Sequence, residues 1–390
     1  MQQGKFRLDE DEDLREVRAA AARVAQRYAD KAAQWDLDRT AFPHDERRFL
    51  GSLGYLGIAL PEEYGGAGAP LAHALVVIEE LAKVCRPAAF QVFEANTGPA
   101  QVIALMGTEH QRKTFLPDIV SGEKTMAVAI SEPDAGSAAT DMTTKATRVD
   151  GGLRVTGAKR WISNGSEADV YLTYCRLGDA PGAKAIGAVL VEADREGISY
   201  GAREKLMGFR GIPSADIYFD DVIVPEENVV AEAGGFKSLF GVFSIERLGN
   251  TTMSLAIGQE ALDRTLAYVQ ERHQFGKPLV EFQSVQMMLA DMVLQVEAAR
   301  LLRDRAVAGI VDGLPNPLEV SLAKCTANEM AKKVTDTAIQ LHGGNGYTEE
   351  FGIERLHRDS HGWALAGGTP TMQRTRIVSE LLGRSFNQRG

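Results

Sequence analysis

Between Met126 and Val230 the sequence changes rhythm, and this interruption limits the possible folds more than any single motif does. Upstream, from about Leu14 to Val120, apolar residues recur at helical spacing in "LREVRAAAARVAQRYADKAAQ" and "ALVVIEELAKV", with Gly and Pro punctuation at "LPEEYGGAGAP". Inside the interruption, short β-rich runs such as "LRVTGAKRWIS", "DVYLTYCRL", "AIGAVLVEA" and "ADIYFDDVIV" alternate with Gly, Asp and Asn turns. After "EAGGFKSLF" the helical period returns in four long segments, able to bury their apolar stripes against one another as a bundle. The 390 residues suffice for two or three domains. The pattern therefore predicts a mostly α protein with a central β domain. Residues 1–125 form an N-terminal helical domain, 126–235 a small, mostly antiparallel β-sheet or barrel domain, and 236–390 a C-terminal four-helix bundle.

Charge and cysteine content narrow the functional classes. Forty-three basic against 53 acidic side chains leave a net charge of −10, which argues against nucleic acid or an anionic membrane as the main partner. Cys85, Cys175 and Cys325 lie far apart with no CxxC pair, so the sequence suggests neither a disulfide framework nor a thiolate metal site, and no metal is expected. The N-terminal stretch "MQQGKFRLDEDEDLREV" is acidic and has neither the apolar core of a signal peptide nor the Arg-rich character of a transit peptide. No run of about 18 apolar residues is present. A cytoplasmic protein without membrane insertion is the expectation.

Several short motifs invite chemistry, although each has a simpler reading. "HGGNGY", His342 to Tyr347, reads as a helix C-cap followed by a turn. "SEPDAGSAATD" reads as a loop, and "RHQFGKP" as a basic helix end closed by glycine. In "LAGGTPTMQR", Thr369 is a good N-cap and Pro370 a good first helical residue, so a helix should begin there with its free N–H groups turned to the ligand side.

The joint order of these motifs resembles the acyl-CoA dehydrogenase family of flavoproteins, nearly end to end. Gln340, Gly343, Gly344, Gly346, Tyr347, Glu350, Arg355 and Asp359 satisfy every position of the family's second signature. "GFRGIPSADIYFDDVIVPEEN" is similar to the family's middle-domain strand and loop, with Pro213 inserted just before Ser214. The first signature departs from the pattern: its usual Gly-Ser-Asp is Gly136-Ser137-Ala138 here. The resemblance implies FAD as cofactor, with Ile130, Ser131, Gly136, Ser137, Trp161, Ser163, Arg272, Phe275, Gln283, Gln340, Gly343, Gly344 and Thr369 as its contacts. Trp161 would lie against the flavin ring, and Ser131 and Ser163 would bond its polar edge. Because Arg272 and its companions meet the cofactor of a neighbouring subunit in the family, a homotetramer is implied, with an electron-transferring flavoprotein as electron acceptor.

Dehydrogenating an acyl-CoA requires a carboxylate to take the α-proton and a donor to stabilise the enolate-like thioester oxygen. In many family members the base directly precedes the Gly-Thr of the last loop, but here that place is Gly367. A glycine loses the carboxylate and keeps the backbone N–H, which in the family binds the thioester oxygen. The resemblance offers a second address: in an isovaleryl-CoA dehydrogenase-like subset the glutamate stands in an "ERL" context on the first bundle helix. "FSIERLGN" matches, with Glu246 as base and Arg247 as the arginine that contacts CoA. By itself Glu246–Arg247 is a solvated helix charge pair; beside Phe243 and Ile245 its carboxylate should have a raised pKa. Glu94 in "FQVFEANTG" matches a stretch that lines the acyl pocket in relatives, where it either meets a polar acyl tail or stands in as base. The substrate-binding set is thus Ser137, Glu94, Arg247 and Gly367. The expected activity is α,β-dehydrogenation of a branched or bulky acyl-CoA. The competing readings are a flavin monooxygenase, a non-oxidative acyl-CoA lyase and a non-catalytic acyl-CoA-binding flavoprotein.

Overall fold

The computed structural model describes residues 12–386; the acidic stretch 1–11 read above and the last four residues lie outside it. Seven helices come first: α1 (Glu12–Gln26), α2 (Ala29–Asp38), α3 (His44–Ser52), α4 (Leu71–Val84), α5 (Arg86–Thr97), α6 (Pro99–Met106) and α7 (Glu109–Ser121). Their ends follow local chemistry. At α7, for example, the Thr108 side chain accepts from the Gln111 N–H while Gln111 reaches back to the Thr108 N–H, a reciprocal capping box.

Eight strands then build one sheet: β1 (Met126–Ala129), β2 (Lys145–Val149), β3 (Gly152–Ser163), β4 (Val170–Arg176), β5 (Ile186–Glu192), β6 (Ile198–Tyr200), β7 (Ser214–Val224) and β8 (Val229–Ala231). The spatial order is β6-β7-β3-β2-β4-β5-β8, with β1 beside β4. Pairing is antiparallel except that β4 runs parallel to β1 and meets β2 in parallel at Lys145–Arg176. Strands β4 and β5 are apolar along both faces because each face enters a different core. Val170, Leu172 and Tyr174 join the core formed by the helices, while Tyr171 and Cys175 join a second core enclosed by the sheet.

The C-terminal part holds α8 (Phe236–Glu271), the two-residue strands β9 (His273–Gln274) and β10 (Lys277–Pro278), α9 (Gln283–Ala308), α10 (Pro317–His342), α11 (Ile353–Leu365) and α12 (Pro370–Leu382). Five helices rather than four make up this unit, because "IERLHRDSHGWAL" forms α11. Helix α8, 36 residues and about 54 Å long, is buried on all sides from Arg247 to Gly258. It is the central axle: a single apolar core includes residues of α1, α4 and α5 together with α8, α9, α10 and α11. Contact between α8 and α5 is close enough that a Cβ on Gly249 would come within 2.6 Å of both Phe93 and the Thr97 hydroxyl. The three cysteines are free and buried. Among the described residues no helix is long and apolar enough to cross a membrane.

Candidate active site

Helix α12 starts as its residues require. Thr369 accepts from the Met372 N–H at 3.3 Å, and Pro370 occupies the first turn. Just before it, Gly367 and Gly368 adopt φ of +67° and +92°, a conformation that disfavours any residue with a Cβ. Arg247 Nε, on α8, donates to the Gly367 carbonyl at 3.1 Å, which ties the loop to the helix that carries Glu246. The loop and the "ERL" segment, 120 residues apart in the chain, therefore meet.

The Glu246 carboxylate makes no hydrogen bond and no ion pair among the described residues. Burial pushes its pKa up to about 8, against the weaker opposing pull of Arg247 and Lys324. A contrasting buried acid, Glu79, is held between Arg300 and Arg303 at 2.8 Å each, and its pKa falls well below the ordinary carboxylate value despite burial. Unpaired and proton-hungry, Glu246 has the electrostatics of a base; Glu79 has those of a structural ion pair. Phe243 and Ile245 are both buried beside Glu246, as the sequence suggests. The Arg247 guanidinium lies over the Phe240 and Phe243 rings, and one of its Nη groups is buried without a partner. Tyr174, on β4, is fully buried with an unpartnered hydroxyl; after burial, the charges of Glu246 and Arg247 act on it most.

Glu94 is not a surface residue. It is buried in α5 and accepts from Asn164 Nδ2 at 2.7 Å. Burial raises its pKa well above the ordinary carboxylate value; Arg47 opposes the rise and the charge of Glu246 adds to it. Asn164 directly follows Ser163, so this bond joins the end of β3 to the helix carrying Glu94.

The predicted cofactor contacts divide into two groups. Ser131 accepts from the Arg160 N–H at 2.8 Å, which brings Ile130 and Ser131 alongside Trp161 and Ser163. Trp161 has φ of +61°, unusual for a bulky residue, and is 51% exposed with the Arg160 guanidinium on its ring. An aromatic surface left open in a strained conformation suits a planar ligand. Gly136 and Ser137 are exposed in the neighbouring loop, which is anchored by buried Glu132 on Lys159, Thr143 and Thr144. The second group, Arg272, Phe275, Gln283, Gln340, Gly343 and Gly344, gathers where α8 and α10 end. There Tyr268 stacks on His342 at 4.2 Å. All six are exposed, Phe275 by 92%, and a Cβ on Gly343 or Gly344 would meet nothing within 4 Å. Lys324, which bonds the Gly368 carbonyl, and Gln340 are sixteen residues apart on α10, about 24 Å along the helix. The loop that carries Thr369 and the second group thus meet α10 at points about 24 Å apart.

The sequence reading missed Asn164, Asn250, Lys324, Asn328 and Tyr174. The available signal was a polar residue on an otherwise buried helix, as in the "GNTTMS" stretch of α8. An open concavity of about 840 Å³ lined by Glu192, Asp194, Asp220 and Asp221 holds none of the predicted residues.

Comparison with known proteins gives one consistent answer. Family models for the acyl-CoA dehydrogenase N-terminal, middle and C-terminal domains match residues 11–123, 127–222 and 233–382. A curated 3-sulfinopropanoyl-CoA desulfinase of Paraburkholderia xenovorans is 36% identical over 96% of this chain and 97% of its own length. A probable acyl-CoA dehydrogenase of Mycobacterium leprae is 37% identical over 97% of both. Among solved structures, butyryl-CoA dehydrogenase from Megasphaera elsdenii superposes with a TM-score of 0.92 at 32% identity, covering 96% of this chain and all of that one.

Proposed function

This chain belongs to the acyl-CoA dehydrogenase family, and from that membership we propose that it oxidises a branched or bulky acyl-CoA to the trans-2-enoyl-CoA with Glu246 as base. It is a flavin-dependent oxidoreductase and its cofactor is FAD. The observation that carries the proposal is Glu246: a carboxylate without hydrogen bond or ion pair, with its pKa pushed up to about 8, on the helix that binds the Gly367 loop.

In this reading Glu246 takes a proton from Cα, and its raised pKa gives it the proton affinity to do so near neutral pH. The Gly367 N–H, which has no partner among the described residues, donates to the thioester oxygen as negative charge gathers there. Arg247 holds the loop through the Gly367 carbonyl. When bound, FAD supplies the acceptor for the hydride leaving Cβ. Trp161, Ser131, Ser163 and Thr369 would hold it on one side; the open aromatic face of Trp161 supports that role. Absence of a side chain at 367 supports a bulky or branched acyl group, since the nearest atoms to a Cβ there are Lys324, Asn250 and Phe243 at 3.4–3.9 Å. Glu94 bonds Asn164, forms no ion pair among the described residues and serves as a wall of the acyl pocket.

The separation of the two groups of cofactor residues supports a homotetramer, in which Arg272, Phe275, Gln283, Gln340, Gly343 and Gly344 would complete the FAD site of a neighbour. Met287, Leu294 and Leu301, exposed by 50–67% and seven residues apart on α9, form an apolar stripe of the kind a subunit contact covers. Electrons would leave to an electron-transferring flavoprotein.

A second reading follows from the desulfinase name of one relative: a non-oxidative desulfination, in which the Cβ–S bond breaks with its electron pair left on Cβ, a proton takes the place of sulfur, and the sulfur dioxide released is hydrated to sulfite. One experiment separates the two. The holoenzyme and Glu246→Gln are titrated anaerobically with straight, branched and aromatic acyl-CoAs and with 3-sulfinopropanoyl-CoA. Dehydrogenation predicts flavin bleaching that falls at least 100-fold in rate in the variant. Release of sulfite and the saturated acyl-CoA without bleaching would establish the desulfination instead.

A further inference from the structure

Three consecutive carbonyls of the catalytic loop are each held by a side chain. Asn250 Nδ2 of α8 donates to Trp363 O at 3.0 Å and to Ala366 O at 3.4 Å. Arg247 Nε takes the Gly367 carbonyl at 3.1 Å. Lys324 Nζ of α10 and Gln373 Nε2 of α12 take the Gly368 carbonyl at 2.9 and 3.0 Å. A trans peptide directs its N–H opposite to its C=O. Holding the carbonyls of 366, 367 and 368 toward the helices therefore turns the N–H groups of Gly367, Gly368 and Thr369 away from them. None of these three N–H groups has a hydrogen-bond partner among the described residues. In an extended chain successive carbonyls alternate sides; the positive φ of Gly367 and Gly368 lets three of them be gathered by the helices.

The donors form a relay whose sense is fixed by its first member. Lys324 is fully buried, and both of its hydrogen-bond partners are oxygens that only accept, so it donates to each whether it is an ammonium or an amine. It donates to Asn328 Oδ1 at 2.9 Å, so Asn328 must turn its Nδ2 outward. That Nδ2 donates to Asn250 Oδ1 at 2.9 Å and to the Ser254 hydroxyl at 2.8 Å. Asn250 is thereby obliged to present its own Nδ2 to the loop. Replacing the lysine by a group that accepts would reverse both amides and set an amide oxygen against the Ala366 carbonyl.

We propose that Lys324 and Asn250, coupled through Asn328, are positioning residues that aim the Gly367 N–H at the thioester oxygen of a bound acyl-CoA. The inference rests on the site proposed above but not on its redox outcome. Apart from Asn328 and the Trp363 carbonyl, the hydrogen bonds that Asn250 and Lys324 donate go to the loop, so they reach the thioester through Gly367. A buried lysine is costly to keep unless its donors are used, and here two of the three are spent on this relay.

The test uses holoenzyme carrying Glu246→Gln, in which bound acyl-CoA stays unreacted. Isotope-edited infrared spectroscopy of the thioester carbonyl then reports the hydrogen bond directly, without turnover. The parent should lower the carbonyl frequency relative to free acyl-CoA. Asn250→Leu and Lys324→Met, each added to Glu246→Gln, should return it toward the free value, while Lys324→Arg, still donor-only, should retain the shift. With Glu246 restored, Asn250→Leu should slow flavin reduction ~10–100-fold, a part of what losing an oxyanion donor costs, with less than threefold change in acyl-CoA affinity. Flavin content and melting temperature identify a variant that has not folded, in which case Asn328→Leu breaks the same relay one residue further from the loop. An unchanged carbonyl frequency in folded Asn250→Leu overturns the inference. Failure of every acyl-CoA to bleach the wild type would instead count against dehydrogenation and leave the infrared result to decide the relay.

Discussion

A base with a pKa of about 8 leaves a measurable limb in the pH–rate profile. As the proposed base, Glu246 would have to be ionised to accept the α-proton, and burial has pushed its pKa up, so its active fraction would grow as pH rises. Taken alone, such a group is roughly 1% ionised near pH 6, roughly 10% near pH 7 and roughly 90% near pH 9. The rate of flavin reduction by a saturating acyl-CoA should therefore climb steeply between about pH 6 and 8 and level off above. The groups acting on this carboxylate are Arg247 on its own helix and Lys324 on α10; its charge in turn reaches Glu94 on α5 and Tyr174 on β4. Burial has pushed Lys324 down to about 7, so it loses its proton within the same window and its pull on Glu246 weakens as the limb is climbed. The two titrations are coupled, and the slope should fall below tenfold per pH unit. Lys324→Met should move the limb to higher pH, because an attractive charge is gone at every pH. Anaerobic stopped-flow absorbance across about pH 5.5–9.5 measures all of this. A rate independent of pH between 6 and 9, or a limb centred near the ordinary glutamate value, would refute the assignment of Glu246 as an unpaired base of raised pKa.

Two further outcomes follow from the same geometry. Burial, with the neighbouring Glu246 charge, pushes the Glu94 pKa well above the ordinary carboxylate value, so Glu94→Gln, close in shape to the acid, should change the rate of flavin reduction less than about threefold; a loss of 100-fold or more would make Glu94 the base. Gly249→Ala should cost about 1–3 kcal/mol through overpacking against Phe93 and Thr97 and lower the melting temperature by several degrees, measured by thermal unfolding; an unchanged melting temperature would mean that α5 and α8 separate more easily than their packing implies.

The sequence by itself determined what depends on neighbours in the chain. The switch from helical to β texture and back is a matter of local period, and it located the central sheet. Thr369 and Pro370 specify their helix start within three residues, and Gly367 and Gly368 announce a backbone that only glycine takes readily. The order of the glycine motifs carried the family, and the pairing of "ERL" with a glycine at 367 pointed to Glu246. Sheet pairing was harder to see, since the parallel partnership of β1 with β4 joins segments about 44 residues apart. Charge environment was hardest. Glu94 and Lys324 look like ordinary helix-surface residues in the sequence, and only the meeting of α5, α8 and α10 buries them. Lys324 meets Gly368 across 44 residues of chain, and Asn328 meets Asn250 across 78. A pKa or an amide's orientation is set by what lies within a few ångströms in space, and no local pattern records it. The chain dictates which groups exist and which backbone turns are possible; the packing of distant helices decides which of those groups is left unpaired, which is bonded to an amide and which holds the loop in place.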